Sequence, residues 1–354
     1  MHWRLPLPLR WTEQIEHVWL LDEHLYALSS RGTLFAIRAD SGLVRWQTSV
    51  AQPGDFVFPL THAASDNARG AVVVTGPSTV LLLDRATGDR DGQVRLSAPA
   101  AASAVADSSH VFVTLCNQQF AMYRRSDGAE VWRMASDRST AIAPQWAPDR
   151  VLFVGGGGLL LCRQADARKK VWTEAMDCAP IAPVFFDGKD LFFVADDRRV
   201  YSIDGASGPV DGKAQWRHRL NGVPTEGPVV LDDLVFQHSP GEGLLALDRA
   251  LGALRWCSEA GRRFLARDDA SAYLMTADDD RLLVVDAADG RTRHAIAASG
   301  VRFAPANVRS DAVLLVNRAG EVVCVRRRDA GPIQIKIKVK EPVVAEPPAP
   351  PSEG

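Results

Sequence analysis

The stretch Leu25-Tyr26-Ala27-Leu28-Ser29-Ser30-Arg31-Gly32-Thr33-Leu34-Phe35-Ala36-Ile37-Arg38-Ala39-Asp40-Ser41-Gly42-Leu43-Val44-Arg45-Trp46 decides the fold. It holds one apolar run, a Gly-containing turn, a second apolar run, a second Gly turn and a tryptophan. Weaker copies recur along the chain, with first runs centred on Tyr26, Val73, Phe112, Leu152, Phe192, Val235, Tyr273 and Leu314, 38 to 47 residues apart. A fixed period of this size marks a repeat architecture, because one such unit cannot bury its apolar face alone.

Aligned on the second turn, Gly42 precedes Trp46, Gly128 precedes Trp132, Gly212 precedes Trp216 and Gly252 precedes Trp256, each by four residues. Trp172 follows Arg168 in the same way, and the degenerate copies are Gly88 and Gly92 before Leu96, Gly290 before His294, and Gly331 near the end. Glycine supplies positive φ at the turn without a Cβ penalty, and the neighbouring Asp, Ser or Thr bonds the local backbone. Tryptophan fills the gap between neighbouring sheets, so truncating a buried one would cost about 3–5 kcal/mol. These residues are read as scaffold.

Pro59, Pro144, Pro183, Pro228 and Pro305 each open a further short apolar stretch, as proline does at the start or edge of a strand. With the segment after the turn, each unit has four short strands, the sequence form of a propeller blade. The expectation is an all-β, eight-bladed propeller of four-stranded antiparallel blades over residues 15–340, preceded by an N-terminal extension (1–14) and followed by a Pro- and Glu-rich tail (341–354) that cannot bury a core. Seven blades is the alternative, with the second and last units in doubt because both lack the tryptophan. Ile333 to Lys340 alternates strictly, and as outermost strand of the last blade its lysines would discourage edge pairing.

The quoted stretch, with Gly243 to Trp256 and Leu282 to Gly290, resembles the repeat of the PQQ-like, quinoprotein-type β-propellers, over about residues 15 to 340. The resemblance implies strands radiating around a central channel. It does not imply one function, since dehydrogenases, outer-membrane assembly lipoproteins, kinase sensor domains and scaffolds share the repeat.

No residue carries catalysis over from the quinone-dependent members, whose resemblance implies a Ca²⁺ site and often adjacent cysteines. Cys116, Cys162, Cys178, Cys257 and Cys324 are scattered, with no C-x-x-C pair, as expected in a reducing compartment. Asp196-Asp197 and Asp278 to Asp280 fall in tight turns rather than in a calcium loop. Gly155 to Gly158 precedes no helix and matches the hairpin turn of Ser30 to Gly32, and the eight histidines show no ligand spacing. The reading is therefore no enzyme, no cofactor and no metal. Near-balanced charge, 41 basic against 43 acidic residues, gives no footprint for nucleic acid or an anionic membrane.

The first 25 residues lack an apolar signal core and a lipobox, so the chain is expected in the bacterial cytoplasm. The function expected is a non-catalytic scaffold for protein partners, a single propeller within a larger assembly. Cytosolic relatives of this size resemble the propeller component of systems with a MoxR-type AAA ATPase and a von Willebrand A protein. The alternatives are an envelope assembly factor similar to the propeller lipoprotein of the β-barrel assembly machinery, and a propeller binding a quinone or another small ligand in its channel. Trp19, Phe56, Trp146, Arg262 and Arg263 are the candidate interaction residues, as aromatics and arginines outside the repeated Trp position. For Trp19 and Trp146, packing between inner strands is the competing expectation.

Overall fold

The computed structural model describes residues 2–63, 70–147, 149–164, 169–209 and 213–336. All regular structure among them is β-strand, arranged as eight antiparallel sheets. In blade 1 the strands Ile15–Leu21, His24–Ser29, Thr33–Arg38 and Val44–Ser49 pair in chain order. Six more sheets repeat this four-stranded order. First strands of neighbouring blades touch one another, which sets them innermost, around a channel.

The apolar runs are continuous because both faces of each middle strand are buried. Successive side chains point to opposite faces, so one strand feeds two seams. Leu25 and Ala27 join Leu314 and Val316 of blade 8, whereas Tyr26 and Leu28 join Val72 and Val74 of blade 2. The described residues form eight such clusters, one for every pair of adjacent blades, and the cluster between blades 8 and 1 closes the ring. The outermost strands Val44–Ser49 and Trp216–Arg219 alternate more and less exposed positions, and Arg45, Arg217 and Arg255 stand outward on outermost strands, charges that discourage edge-to-edge pairing.

The eighth blade corrects the reading of both chain ends. Its middle strands are Val313–Val316 and Glu321–Val325, Phe303 bridges Val316 on the inner side, and the outermost strand is Trp3–Pro6 from the other end of the chain. Residues 3–6 therefore belong to the propeller rather than to an extension before it, and they, not residues 333–336, supply the outer strand. Cross-strand pairing is the physical reason: Trp3 to Pro6 already occupies the open edge of Glu321–Val325. Ile333 packs instead on the seam between blades 8 and 1, and the Lys336 amide donates to the Arg309 carbonyl at 2.8 Å. Residues 337–340 and the tail 341–354 lie outside the described residues.

This closure also supplies the tryptophan of the eighth blade. Trp3 pairs with Cys324 as Trp46 pairs with Ala36 and Trp256 with Ala246. In blade 2 the same register position is Gly92, opposite Leu82, rather than Leu96, and in blade 7 it is His294, opposite Val284. Gly212 lies outside the described residues; among the described residues the glycine with positive φ in the turn after Asp204 is Gly208, at φ 77°.

Candidate functional site

Strand order sorts the connections onto two faces. Links between second and third strands, and those from one blade's fourth strand to the next blade's first, emerge together. Val50 N donates to Gly32 O and Leu220 N to Arg198 O, tying the two kinds of link to each other within a blade. This is the entry face. The turns between first and second strands, and between third and fourth, form the opposite face.

On the opposite face, blades 8, 1 and 2 are joined by an ionic cluster. Asp22, in the left-handed region at φ 49°, accepts from His62 Nδ1 at 2.9 Å and pairs with Arg309 at 3.3 Å and Arg85 at 3.5 Å. His62 Nε2 lies 3.0 Å from the Tyr26 hydroxyl. The His62 hydrogen bond, with the charges of His62, Arg85 and Arg309, holds the Asp22 carboxyl far below the usual carboxylate range. Burial alone would raise Glu23, but the bond to His24 and the charge of Arg85 outweigh it and hold that carboxyl at about 2. Burial pushes the His62 imidazole down and the Tyr26 phenol up. An Asp–His–Tyr relay of this kind could move a proton, yet Tyr26 is fully buried and offers no atom to a substrate. The cluster ties three blades together.

The entry face differs. Trp11 is 91% exposed in the link between blades 8 and 1, and Phe56 is 54% exposed in the link between blades 1 and 2, edge-on to Phe58 at 4.8 Å. Ile181 and Val223 are exposed in the links into blades 5 and 6. Large apolar side chains left in water on loops held by a rigid ring are the usual material of a protein contact.

Of the candidates read from sequence, Phe56 stands on this face, while Trp19 and Trp146 are built into inner seams. Trp19 stacks on His17 at 5.5 Å and packs against the cluster between blades 1 and 2, and Trp146 stacks on Phe112 at 5.7 Å between blades 3 and 4. Arg262 and Arg263 line a cavity between blades 6 and 7 near the entry face, about 230 Å³ in volume. Sequence reasoning missed Trp11, because it was counted within an extension; the signal was its aromatic ring in a segment lacking the repeat pattern. The acidic turns are occupied locally: Asp197 bonds Tyr201 and Arg199, Asp278 bonds Thr276, and Asp279 pairs with Arg263. Among the described residues no group of three or more His, Cys, Asp or Glu is placed to hold a metal ion, and no helix is long and apolar enough to cross a membrane.

A family model described as outer membrane protein assembly factor BamB matches residues 2–133, 117–211 and 208–337, spanning the ring. The protein of that name from Yersinia pestis is 22% identical over 333 residues, covering 86% of this chain and 82% of its own length. The crystal structure of BamB from Moraxella catarrhalis superposes with a TM-score of 0.67 at 16% identity, over 93% of this chain and 99% of that one. A computationally designed protein, Ika8, superposes with a TM-score of 0.64 at 14% identity, over 88% and 96%. At these identities the solved structures speak for the fold alone.

Proposed function

Because the chain belongs to the PQQ-like propeller family whose model is described as outer membrane protein assembly factor BamB, we propose that it is a non-catalytic scaffold that binds protein partners through its entry face. The observation that carries this reading is the placement of Trp11, Phe56, Ile181 and Val223 on connections that share one face, above a ring whose repeated Gly and Trp residues are spent on packing. Burying such side chains against a partner gains about 25 cal/mol for each Å² of apolar area removed from water.

The setting favoured from the sequence is the bacterial cytoplasm, in a multiprotein system that includes a MoxR-type AAA ATPase and a von Willebrand A protein. Its support is the five cysteines, all free, of which burial raises Cys162 and Cys324 to about 12. The second reading, an envelope assembly factor, is supported by the name that the family model and the Yersinia pestis relative carry. Both readings assign the protein the same kind of work.

The test is isolation of the tagged chain from its native host, with partners identified and quantified by mass spectrometry, beside a Trp11→Ala/Phe56→Ser variant. The scaffold reading expects named partners with the native chain and their loss with the variant. Equal recovery from both would overturn the entry-face assignment. Fractionation of the same cells separates the two settings: recovery with soluble cytoplasmic proteins supports the first, and recovery with the envelope supports the second.

A further inference from the structure

The ring departs from its own repeat at the innermost strand of blade 7, Gly261–Arg267. Elsewhere a long link leads from one blade's outer strand into the next blade, as between Ala175 and Phe185 or Arg219 and Val229. Here only Glu259 and Ala260 separate Ser258 from Gly261, so no loop arches over the entry face at this seam. The strand's register also shifts twice, between Gly261 and Arg263 and between Phe264 and Ala266. Consecutive residues of a regular strand point to opposite faces, whereas a bulge re-aims a side chain. Arg262 and Arg263 accordingly line the same cavity.

The cavity floor is apolar. The rings of Phe236 and Phe264 stack 4.4 Å apart, with Leu244 and Pro305 beside them. At about 230 Å³ the space suits one large side chain. Both guanidinia stand at its wall, each steadied through Nη2 by a carboxylate: Arg262 by Glu226 at 3.1 Å, and Arg263 by Asp279. Arg262 Nε has no hydrogen-bond partner among the described residues. A planar fork held in place by one acid is pre-organised to take a second carboxylate.

We propose that this cavity receives an acidic segment of a protein partner, with one bulky apolar side chain seated on the Phe236 and Phe264 rings and an adjacent carboxylate bonded to Arg262 and Arg263. The proposal rests on the scaffold reading and gives the partner's contacting segment its chemistry. The cavity opens near the same face as Trp11 and Phe56, so one partner can engage both. Floor and wall divide the recognition: the rings require an apolar group and the arginines require a negative one next to it.

The experiment uses the full chain and a fluorescein-labelled peptide with one Phe flanked by Glu on both sides in a Gly/Ser background, followed by fluorescence anisotropy. Two control peptides replace the Glu residues by Gln or the Phe by Ser. Two variants complement them: Arg262→Gln/Arg263→Gln removes the charges, and Ala306→Leu fills the half-buried edge of the cavity while leaving the charges intact. Saturable binding of the Glu/Phe peptide is expected, weakened about tenfold or more by either control and by either variant, and weakened by added salt. Comparable binding of the Gln peptide, undiminished binding by Ala306→Leu, or no binding by the native chain would overturn the proposal. Thermal unfolding of both variants establishes that they are folded. Partners recovered equally by native and Ala306→Leu chains, yet lost with Trp11→Ala/Phe56→Ser, would overturn the cavity's role and leave the scaffold reading standing.

Discussion

Gly88 lies against the indole of Trp46, the tryptophan of the preceding blade, so that a Cβ on Gly88 would stand 2.6 Å from the ring. The same contact joins Gly208 to Trp172, Gly252 to Trp216, Gly290 to Trp256 and, across the closure, Gly42 to Trp3. The indole N–H of Trp46, Trp172, Trp216 and Trp256 then reaches a carbonyl of the same turn, as Trp46 does with Arg85 at 2.9 Å and Trp216 with Arg249 at 2.9 Å, whereas that of Trp3 has no hydrogen-bond partner among the described residues. The glycine therefore answers two demands at once: positive φ in its own turn and clearance for the neighbour's ring.

Glycine substitutions should separate those demands. At Gly252, φ is 67° and a Cβ would meet Trp216 at 2.4 Å, whereas at Gly128 φ is 70° but the nearest atoms are 3.6 Å away. Gly128→Ala should cost about 1 kcal/mol, the left-handed backbone penalty alone. Gly252→Ala should cost about 2–4 kcal/mol, since the ring must also move. Denaturant unfolding of the two variants measures the difference, and equal losses would contradict the cross-blade role.

Two tryptophans near the N-terminus should behave in opposite ways. Trp3 packs on the seam between blades 8 and 1, so Trp3→Ala should destabilise the protein by about 3 kcal/mol and lower its melting temperature. Trp11, almost wholly exposed, should leave stability within about 0.5 kcal/mol when changed to Ala. Parallel melting curves decide it.

The four-residue Gly-to-Trp spacing was readable because both residues sit in one local turn and strand. Which tryptophan a glycine touches was not, since that contact crosses to another blade. Trp3 escaped notice because its pairing partner Cys324 lies at the far end of the chain, and a local repeat search cannot join the two. Gly212 matched the spacing, yet Gly208 makes the turn, because residues inserted before Trp216 mimic the motif. Arg262 and Arg263 were singled out by type alone; their convergence depends on a register shift that alternation does not foretell.

Stability should fall with acid in two stages. His62 has its folded pKa lowered by burial, so the unfolded chain binds its proton more readily and stability declines as pH drops below about 6.5. Asp22 and Glu23 have folded pKa values depressed below the unfolded range near 4, so their contribution is intact above about pH 4 and is lost progressively below it. Asp22→Asn should lower the melting temperature at pH 7 and flatten the decline toward low pH. A melting temperature that rises between pH 7 and pH 3 would contradict the assigned directions.

The central claim, partner docking on the entry face, is tested most directly by site-specific photocrosslinking in the native host. A benzoylphenylalanine placed at Trp11 or Phe56 is compared with one at Leu43 or Leu251, both exposed on the opposite face. The account predicts a discrete crosslinked partner from the first two positions and none from the second two. Crosslinks confined to Leu43 and Leu251 would contradict it.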